Sequence, residues 1–305
     1  MELSIAIEVQ EGVTWEDWTA VAVACEEHGV GSLYSSDHYL STAGTTERGS
    51  LDAWGVICGL AAVTSRLRLG TLVSPTTFRH PSVLAKLAVT ADHVSGGRID
   101  LGMGAGWHEE EHRAFGFEFR SARWRVERFA EQLEIVHRQL NEDEPFDFHG
   151  EHFVLEGSDA RPKPVQRPFP ILVGGAAKPG TGRPGARFAS EYNTTFASPE
   201  DAARRRRALD GFCEEVGRDP ATLPLSLMTQ CVVGRDRSEV DERIGRLVRK
   251  PWRPEASLIG TVDEVVAKLR LYEESGVTRV MCQHLLHRDL DMVELLGREV
   301  APVVA

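Results

Sequence analysis

Apolar runs of strand length alternate with helical stretches along all 305 residues of this chain. Such alternation is typical of α/β folds built on a parallel sheet. The eight strand-like runs span residues 3–9, 32–36, 67–73, 98–103, 170–173, 191–196, 225–233 and 279–285. Their number and order predict a (β/α)8 barrel of the TIM type, folded as a single domain over residues 1–305.

A doubly wound sheet is the alternative, but it needs a dinucleotide-binding fingerprint after its first strand. Here the glycines at 102, 104 and 106 have the wrong spacing for that fingerprint and follow the fourth strand. The segment 66–116 instead predicts a strand–helix–strand unit that opens a further helix. A hairpin over 146–155 and a proline-rich connector over 162–168 form an insertion between strands four and five.

Charge and composition narrow the class of partner. The formal net charge of −11 argues against nucleic acid or an anionic membrane surface and favours a small-molecule partner. No apolar run is long enough to span a bilayer, and the first residues lack a signal-peptide pattern. The five cysteines are scattered without a CxxC pair, which is typical of buried free thiols in a reducing compartment. We therefore expect a cytoplasmic protein.

In a barrel of this type, chemistry belongs at the carboxyl ends of the strands. The residues predicted there are Glu8, Asp37, His38, Ser74, Thr76, Gly104–Trp107, Gly174, Gly175, Asn193–Thr195, Gln230, Gln283 and His284. They include no serine in a sharp glycine turn, no phosphate-cradling GxxxxGK[ST] motif and no carboxylate trio for a metal. Amides, hydroxyls and glycines with one or two histidines suit a neutral aromatic cofactor.

His38 is the strongest acid–base candidate, because imidazole titrates near neutral pH and Asp37 is its neighbour. Successive strand residues point to opposite faces, so the two side chains need not touch, and a solvated pair is the plainer interpretation. Residues His108–His112 read HEEEH and match the HExxH zinc pattern. Because the helix starts just after Gly106 and Gly116 interrupts it, we interpret the three acids as an acidic helix start and predict no metal.

A glycine-rich, basic segment follows the fifth strand at 176–184 and is predicted to be a loop. Its free backbone N–H groups, with Lys178 and Arg183, could hold a cofactor phosphate, or the segment could be flexible with incidental charge. The arginines at 204–207 span a full helical turn, which favours a solvated helix surface over an anion site.

Four motifs together resemble the bacterial luciferase-like family of flavin- and deazaflavin-dependent barrel oxidoreductases. They read SDH at 36–38, LGTLVSPTTFRHP at 69–81, DHVSGGRIDLGMGAGWHEEE at 92–111 and PKPVQRPFPILVGG at 162–175. The resemblance implies an isoalloxazine-type ring at the barrel mouth and a non-proline cis peptide near Leu72–Val73 behind it. It places Asp37 and His38 near the reacting edge. The implied ring contacts are Leu72, Val73, Ser74, Thr76, Ala105 and Gly106, and the implied phosphate contacts are Gly174, Gly175, Lys178, Gly180, Thr181 and Arg183.

Within that family, the Asp-His pair and the SPTTFRHP turn look more like the members that use coenzyme F420, a deazaflavin. The resemblance then implies hydride transfer between deazaflavin C5 and a small organic substrate, with His38 giving or taking a proton. An FMN-dependent monooxygenase is the alternative, and only that reading requires a flavin reductase as partner. A catalytically silent flavin-binding relative is the third. A homodimer is usual in the family, and the substrate contacts fall on loops at 40–50, 115–123 and 250–258.

Overall fold

Eight parallel strands close into a barrel in the computed structural model, which describes residues 1–44, 47–248 and 253–305. In barrel order they are β1 (Glu2–Ile7), β2 (Ser32–Ser35), β3 (Arg68–Thr71), β5 (Ile99–Gly104), β8 (Ile171–Gly174), β9 (Glu191–Thr195), β10 (Leu225–Gly234) and β12 (Val277–Gln283). The ring closes where Ser4 of β1 pairs with Met281 of β12. The predicted (β/α)8 barrel is confirmed.

Within the described residues, four short strands lie outside the ring. β4 (Ser74–Pro75) extends the third strand position and pairs with β5, and β11 (Leu258–Thr261) pairs with β10. β6 (Phe146–His149) and β7 (Val154–Ser158) form an antiparallel hairpin between β5 and β8. The hairpin insertion predicted from the sequence is therefore present, whereas β11 was not predicted.

Helices cover the outside of the barrel. They are α1 (Trp15–His28), α2 (Ala53–Val63), α3 (Pro81–Ser95), α4 (Glu109–Phe115), α5 (Ala122–Asn141), α6 (Pro179–Phe188), α7 (Pro199–Glu215), α8 (Arg237–Arg246), α9 (Val262–Glu274), α10 (Leu290–Leu295) and α11 (Ala301–Val304), with a wider turn over Leu296–Val300. Capping sets several of their ends: Thr14 and Asp17 form a reciprocal capping box at α1, and Gly96 ends α3 at φ 68°. None of the described helices is long and apolar enough to cross a membrane.

Two separate layers of side chains fill the structure. The larger layer lies between sheet and helices, where Trp18, Trp54 and Phe129 are at most 1% exposed. The smaller layer fills the barrel itself with Ala6, Tyr34, Leu72, Leu172, Met228 and Met281. Burying aromatic and aliphatic side chains of this size stabilises the fold by about 1.5–3 kcal/mol each, before conformational entropy is counted.

Beneath the inner layer, at the amino ends of the strands, lies a group of charged side chains that we call the floor cluster. Tyr34 donates to Asp100 at 2.7 Å, and Arg279 pairs with Glu191 at 2.9 Å and contacts the Tyr34 hydroxyl. Arg68 also pairs with Asp100. The cluster closes the lower end of the barrel with ion pairs.

The segment after β8 corrects one prediction. The loop expected at 176–184 is short, and α6 begins at Pro179. Proline suits the first helical position because its missing N–H would have no partner there. Gly182 and Gly185 are required by packing: added Cβ atoms would press on Phe212 and, at 2.9 Å, on Tyr192. Tertiary contacts thus impose a helix on residues whose local preference is for a loop.

Candidate active site

Val73 forms a wall at the carboxyl ends of the strands, a region that we call the mouth. The Leu72–Val73 peptide is cis, as the family resemblance implied. The Val73 side chain packs against glycines of two neighbouring strands, because an added Cβ would lie 2.7 Å from it at Gly104 and 3.1 Å at Gly174. Only glycine leaves room for this side chain, so the glycines at the ends of β5 and β8 shape one face of the mouth.

Asp37 lies at the end of β2 and is 1% exposed. One carboxylate oxygen accepts hydrogen bonds from Ser74 Oγ at 2.7 Å and from Arg79 Nη1 at 2.6 Å. Burial raises the pKa of Asp37, and the Arg79 guanidinium opposes that shift. Asp37 thus bonds to Arg79 and Ser74 rather than to His38, and it ties the segment after β2 to the turn after β4.

His38 finds its partner in Glu111, which is 1% exposed on α4. The His38 Nδ1 lies 2.7 Å from Glu111 Oε1, and the Tyr39 backbone N–H donates to Glu111 Oε2 at 3.0 Å. Burial disfavours the His38 charge, but the hydrogen bond and charge of Glu111 outweigh it and raise the pKa of His38. Burial likewise opposes ionisation of Glu111, yet bonds from His38 and Tyr39 lower its pKa.

This pair holds the imidazole in a fixed orientation. Nδ1 faces the carboxylate, and Nε2 bonds to none of the described residues, so it is the atom that can exchange a proton with a ligand. The Trp107 ring meets His38 edge-on at 5.6 Å and is 63% exposed. Trp107 therefore packs beside the imidazole and leaves most of its own ring exposed.

The HEEEH segment has two kinds of residue. Glu109 and Glu110 are exposed on the first turn of α4, as expected of an acidic helix start. His112 bonds to Thr77 Oγ1 at 2.6 Å and to the His108 carbonyl at 2.7 Å, so it packs the adjacent loop. Glu111 is the residue for which our interpretation was wrong, because it is buried against His38. Its position one helical turn after His108, on the buried face of α4, was the available signal.

The residues expected to hold a phosphate separate into two groups. Gly174, Gly175, Lys178 and Thr181 lie together, since Thr181 Oγ1 is 2.7 Å from the Tyr192 hydroxyl and an added Gly175 Cβ would contact both. Lys178 is exposed at the N-cap of α6; its carbonyl accepts from the backbone N–H groups of Thr181 and Gly182, and its side-chain ammonium bonds to none of the described residues.

Gly180 and Arg183 belong to the second group. Gly180 packs on Val126, and Arg183 pairs with Glu215 at 2.7 Å on the outer surface. Arg205, which the sequence assigned to a solvated surface, instead bonds Thr194 Oγ1 and the Thr195 carbonyl at the end of β9.

Several buried polar atoms at the mouth have no hydrogen-bond partner among the described residues. They include Thr76 Oγ1, Asn193 Oδ1 and Gln283 Oε1. Uncharged oxygen atoms of this kind, together with the wall that Val73 and its neighbouring glycines form, match a planar ring with amide-like edges. The residues present therefore fit a flavin or deazaflavin. The substrate loops expected at 40–50 and 250–258 lie partly outside the described residues.

Comparison with known proteins agrees with this geometry. A family model described as luciferase-like monooxygenase matches residues 3–256. The chain is 27% identical to the 4-hydroxyprotoasukamycin monooxygenase of Streptomyces nodosus subsp. asukaensis, over 94% of this chain and 86% of that protein. It is 23% identical to the FMNH(2)-dependent dimethylsulfone monooxygenase of Pseudomonas putida, over 98% and 91%. In structure it is similar to an F420-dependent secondary alcohol dehydrogenase, with a TM-score of 0.83, 19% identity and 100% coverage of both chains.

Proposed function

The chain belongs to the luciferase-like monooxygenase family, and we propose that it is a coenzyme F420-dependent oxidoreductase acting on a small organic substrate. The observation that carries the proposal is the His38–Glu111 pair at the mouth, with a distance of 2.7 Å between nitrogen and oxygen. A hydride transfer to or from a carbonyl or alcohol needs one accompanying proton, and a histidine fixed by a buried carboxylate supplies or accepts it.

A bound deazaflavin would supply the two-electron hydride chemistry. The residues that would hold it are Val73 behind the ring and Thr76, Asn193 and Gln283 at its polar edges, with Lys178 near the phosphate. What the chain contributes to the reaction is orientation and a proton: Glu111 stabilises the imidazolium, and His38 Nε2 exchanges the proton with the substrate. Asp37 is a positioning residue, because it holds Arg79 and the turn after β4 in place.

An FMN-dependent monooxygenase is the second candidate, and a specific observation favours it. The two relatives that match 94% and 98% of this chain are both monooxygenases. In that case a flavin reductase would be a partner, a bound reduced flavin would supply the oxygen chemistry, and His38 Nε2 would hold the proton that the reaction needs. In either case we propose a homodimer, as the family resemblance implies.

Titration of the purified protein with F420 and with FMN, each followed by fluorescence, separates these candidates. We expect F420 to bind in the micromolar range or tighter, and substrate-dependent turnover to proceed without oxygen uptake. Tight FMN binding with oxygen consumption and no F420 binding would overturn the proposal in favour of the monooxygenase. Binding of either cofactor without turnover on any alcohol, aldehyde or ketone would indicate the silent relative.

A further inference from the structure

We propose that His38, His108 and Glu111 form a binding site for a divalent transition-metal ion of the zinc class. Among the described residues these three side chains bring one ligand atom each to within 4.8 Å of one another. Two imidazoles and a carboxylate are a ligand set that zinc accepts with a fourth position open. The site differs from the HExxH pattern of the sequence, because His112 is bonded to Thr77 and the second histidine comes from the end of β2.

The distances between the ligand atoms suit a small cation. Glu111 Oε1 lies 2.7 Å from His38 Nδ1 and 3.7 Å from His108 Nδ1. Zinc binds nitrogen and oxygen at about 2.0–2.1 Å, which places tetrahedral ligands about 3.4 Å apart. Shifts of less than about 1 Å in the two imidazoles would bring all three atoms to that separation.

No hydrogen bond within the described residues competes with a metal ion for the Nδ1 atom of His108. Its Nδ1 is buried and has no hydrogen-bond partner among the described residues. Its ring is stacked on Trp107, with centroids 5.1 Å apart and 23° between the planes. An imidazole nitrogen that is held in place and unbonded next to a buried carboxylate is costly unless a ligand uses it.

Outer polar contacts also reach two of the three groups, Glu111 and His108. The second oxygen of Glu111 accepts from the Tyr39 N–H at 3.0 Å, and the outer nitrogen of His108 lies 4.0 Å from the Glu110 carboxylate. Such second contacts fix the orientation and basicity of metal ligands. An open depression of about 450 Å³, lined by Trp107, His108 and Glu110 among others, gives an ion a path from solvent.

The ligand set selects the class of ion. Imidazole nitrogens favour zinc, nickel and copper, whereas magnesium and calcium prefer oxygen-only sites. A metal on His38 Nδ1 would replace the hydrogen bond to Glu111 and lower the basicity of Nε2, so it would suppress proton transfer at Nε2. That consequence rests on the proposed function, whereas the binding itself does not.

Calorimetric titration of chelator-treated protein with Zn²⁺, and with Mg²⁺ as the comparison ion, tests the binding. We expect one equivalent of Zn²⁺ to bind and Mg²⁺ not to bind. His108→Asn and Glu111→Gln should each weaken Zn²⁺ binding at least tenfold. His149→Asn, which removes an exposed histidine on the β6–β7 hairpin, is the matched control and should bind as the wild type does.

The proposed site would be overturned if both His108→Asn and Glu111→Gln bound Zn²⁺ with wild-type affinity, or if Zn²⁺ and Mg²⁺ bound equally well. Circular dichroism melting shows which variants are folded, and either folded variant decides the question. The titration needs no cofactor or substrate, so an enzyme without F420 turnover can still bind zinc. With an active enzyme, Zn²⁺ should inhibit the wild type reversibly and leave His108→Asn at least tenfold less sensitive.

Discussion

The two ends of the barrel bury charge in different ways. At the floor, Arg279 lies between Glu191 at 2.9 Å and Asp100 at 3.9 Å, and Arg68 pairs with Asp100 from the side. At the mouth, the buried carboxylates of Asp37 and Glu111 have polar partners, but neighbouring polar atoms remain unbonded. The floor has one such atom, Glu191 Oε1, among the described residues.

This difference indicates that the floor stabilises the fold, whereas the mouth binds ligands. A charge cluster whose members neutralise one another leaves few polar atoms for a ligand, and removal of one member leaves a buried charge uncompensated. Unbonded polar atoms cost free energy in the isolated protein, and they recover it when a ligand with matching groups binds. The mouth is therefore the less stable and more responsive end. Four predictions test this division, from the largest expected effect to the smallest.

Replacing His38 with Gln should change activity and leave stability intact. Removing a positioned acid–base group lowers turnover by about 10²–10⁴-fold. The melting temperature should stay close to that of the wild type, because a glutamine amide at this position can replace the hydrogen bond that the largely buried His38 side chain makes to Glu111. Steady-state kinetics with the bound cofactor and calorimetric melting measure the two quantities. Full turnover in His38→Gln would remove the proposed proton role.

Replacing Arg279 with Met should lower the stability of the fold and leave cofactor binding unchanged. The change leaves Glu191 and Asp100 buried without their central cation, which costs about 3–5 kcal/mol of unfolding free energy. Chemical denaturation measures the loss, and cofactor affinity of the folded fraction should be unchanged. Arg270→Met, at an exposed position on α9, is the control. A large loss of cofactor affinity with little loss of stability would contradict the assignment of stability to the floor and of cofactor binding to the mouth.

Acid should lower the free energy of unfolding through His284, which is 1% exposed at the end of β12, on the mouth side of the barrel. Burial lowers the pKa of His284 to about 4, below its ordinary value of 6.5. The unfolded chain therefore takes up this proton first, and stability falls as the pH drops from about 6.5 towards 4. The loss reaches at most about 1.4 kcal/mol per pH unit.

His284→Gln keeps a donor for the Asp289 carbonyl and removes the titration, so its unfolding free energy should depend less on pH in that range. Glu191 at the floor acts in the opposite direction. Burial raises its pKa, so protonation at falling pH stabilises the folded state. An acid-sensitivity that is the same in wild type and His284→Gln would place the sensitive group elsewhere.

The smallest effects should separate two cations of the predicted phosphate segment. Lys178→Ala should weaken cofactor binding by about fivefold, since a charge-assisted bond to phosphate contributes about 1 kcal/mol at an exposed site. Arg183→Ala should bind the cofactor as the wild type does, because Arg183 pairs with Glu215 on the outer surface. Fluorescence titration of both variants gives the ratio of affinities. Equal weakening by both would mean that the Arg183 side chain turns inward when the cofactor binds.

Local patterns were sufficient to predict most of the architecture. Strand periodicity, caps such as Thr14 and stop signals such as Gly96 act over a few residues, so they can be read from the chain directly. The cis peptide at Leu72–Val73 followed from the family resemblance. The helix α6 was missed because packing against Phe212 and Tyr192, far along the chain, decides its conformation.

The site was less predictable for a related reason. Its decisive pairs join distant positions: Glu111 meets His38 across 73 residues, and Arg79 meets Asp37 across 42. Sequence reasoning located His38 and Asp37 at a strand end but could not say which carboxylate would face the imidazole. It also treated the three acids of HEEEH alike, although only Glu111 lies on the buried face of α4.

The closure of the ring between β1 and β12 has a consequence for synthesis on the ribosome. The strand β1 is synthesised before its partner strand β12 (Val277–Gln283), and the contact between Glu8 and Gln283 spans 275 positions. Until that partner emerges, β1 has one open edge and can pair only with β2. Until β12 has been synthesised, the unfinished barrel therefore exposes a strand edge that is open to edge-to-edge association.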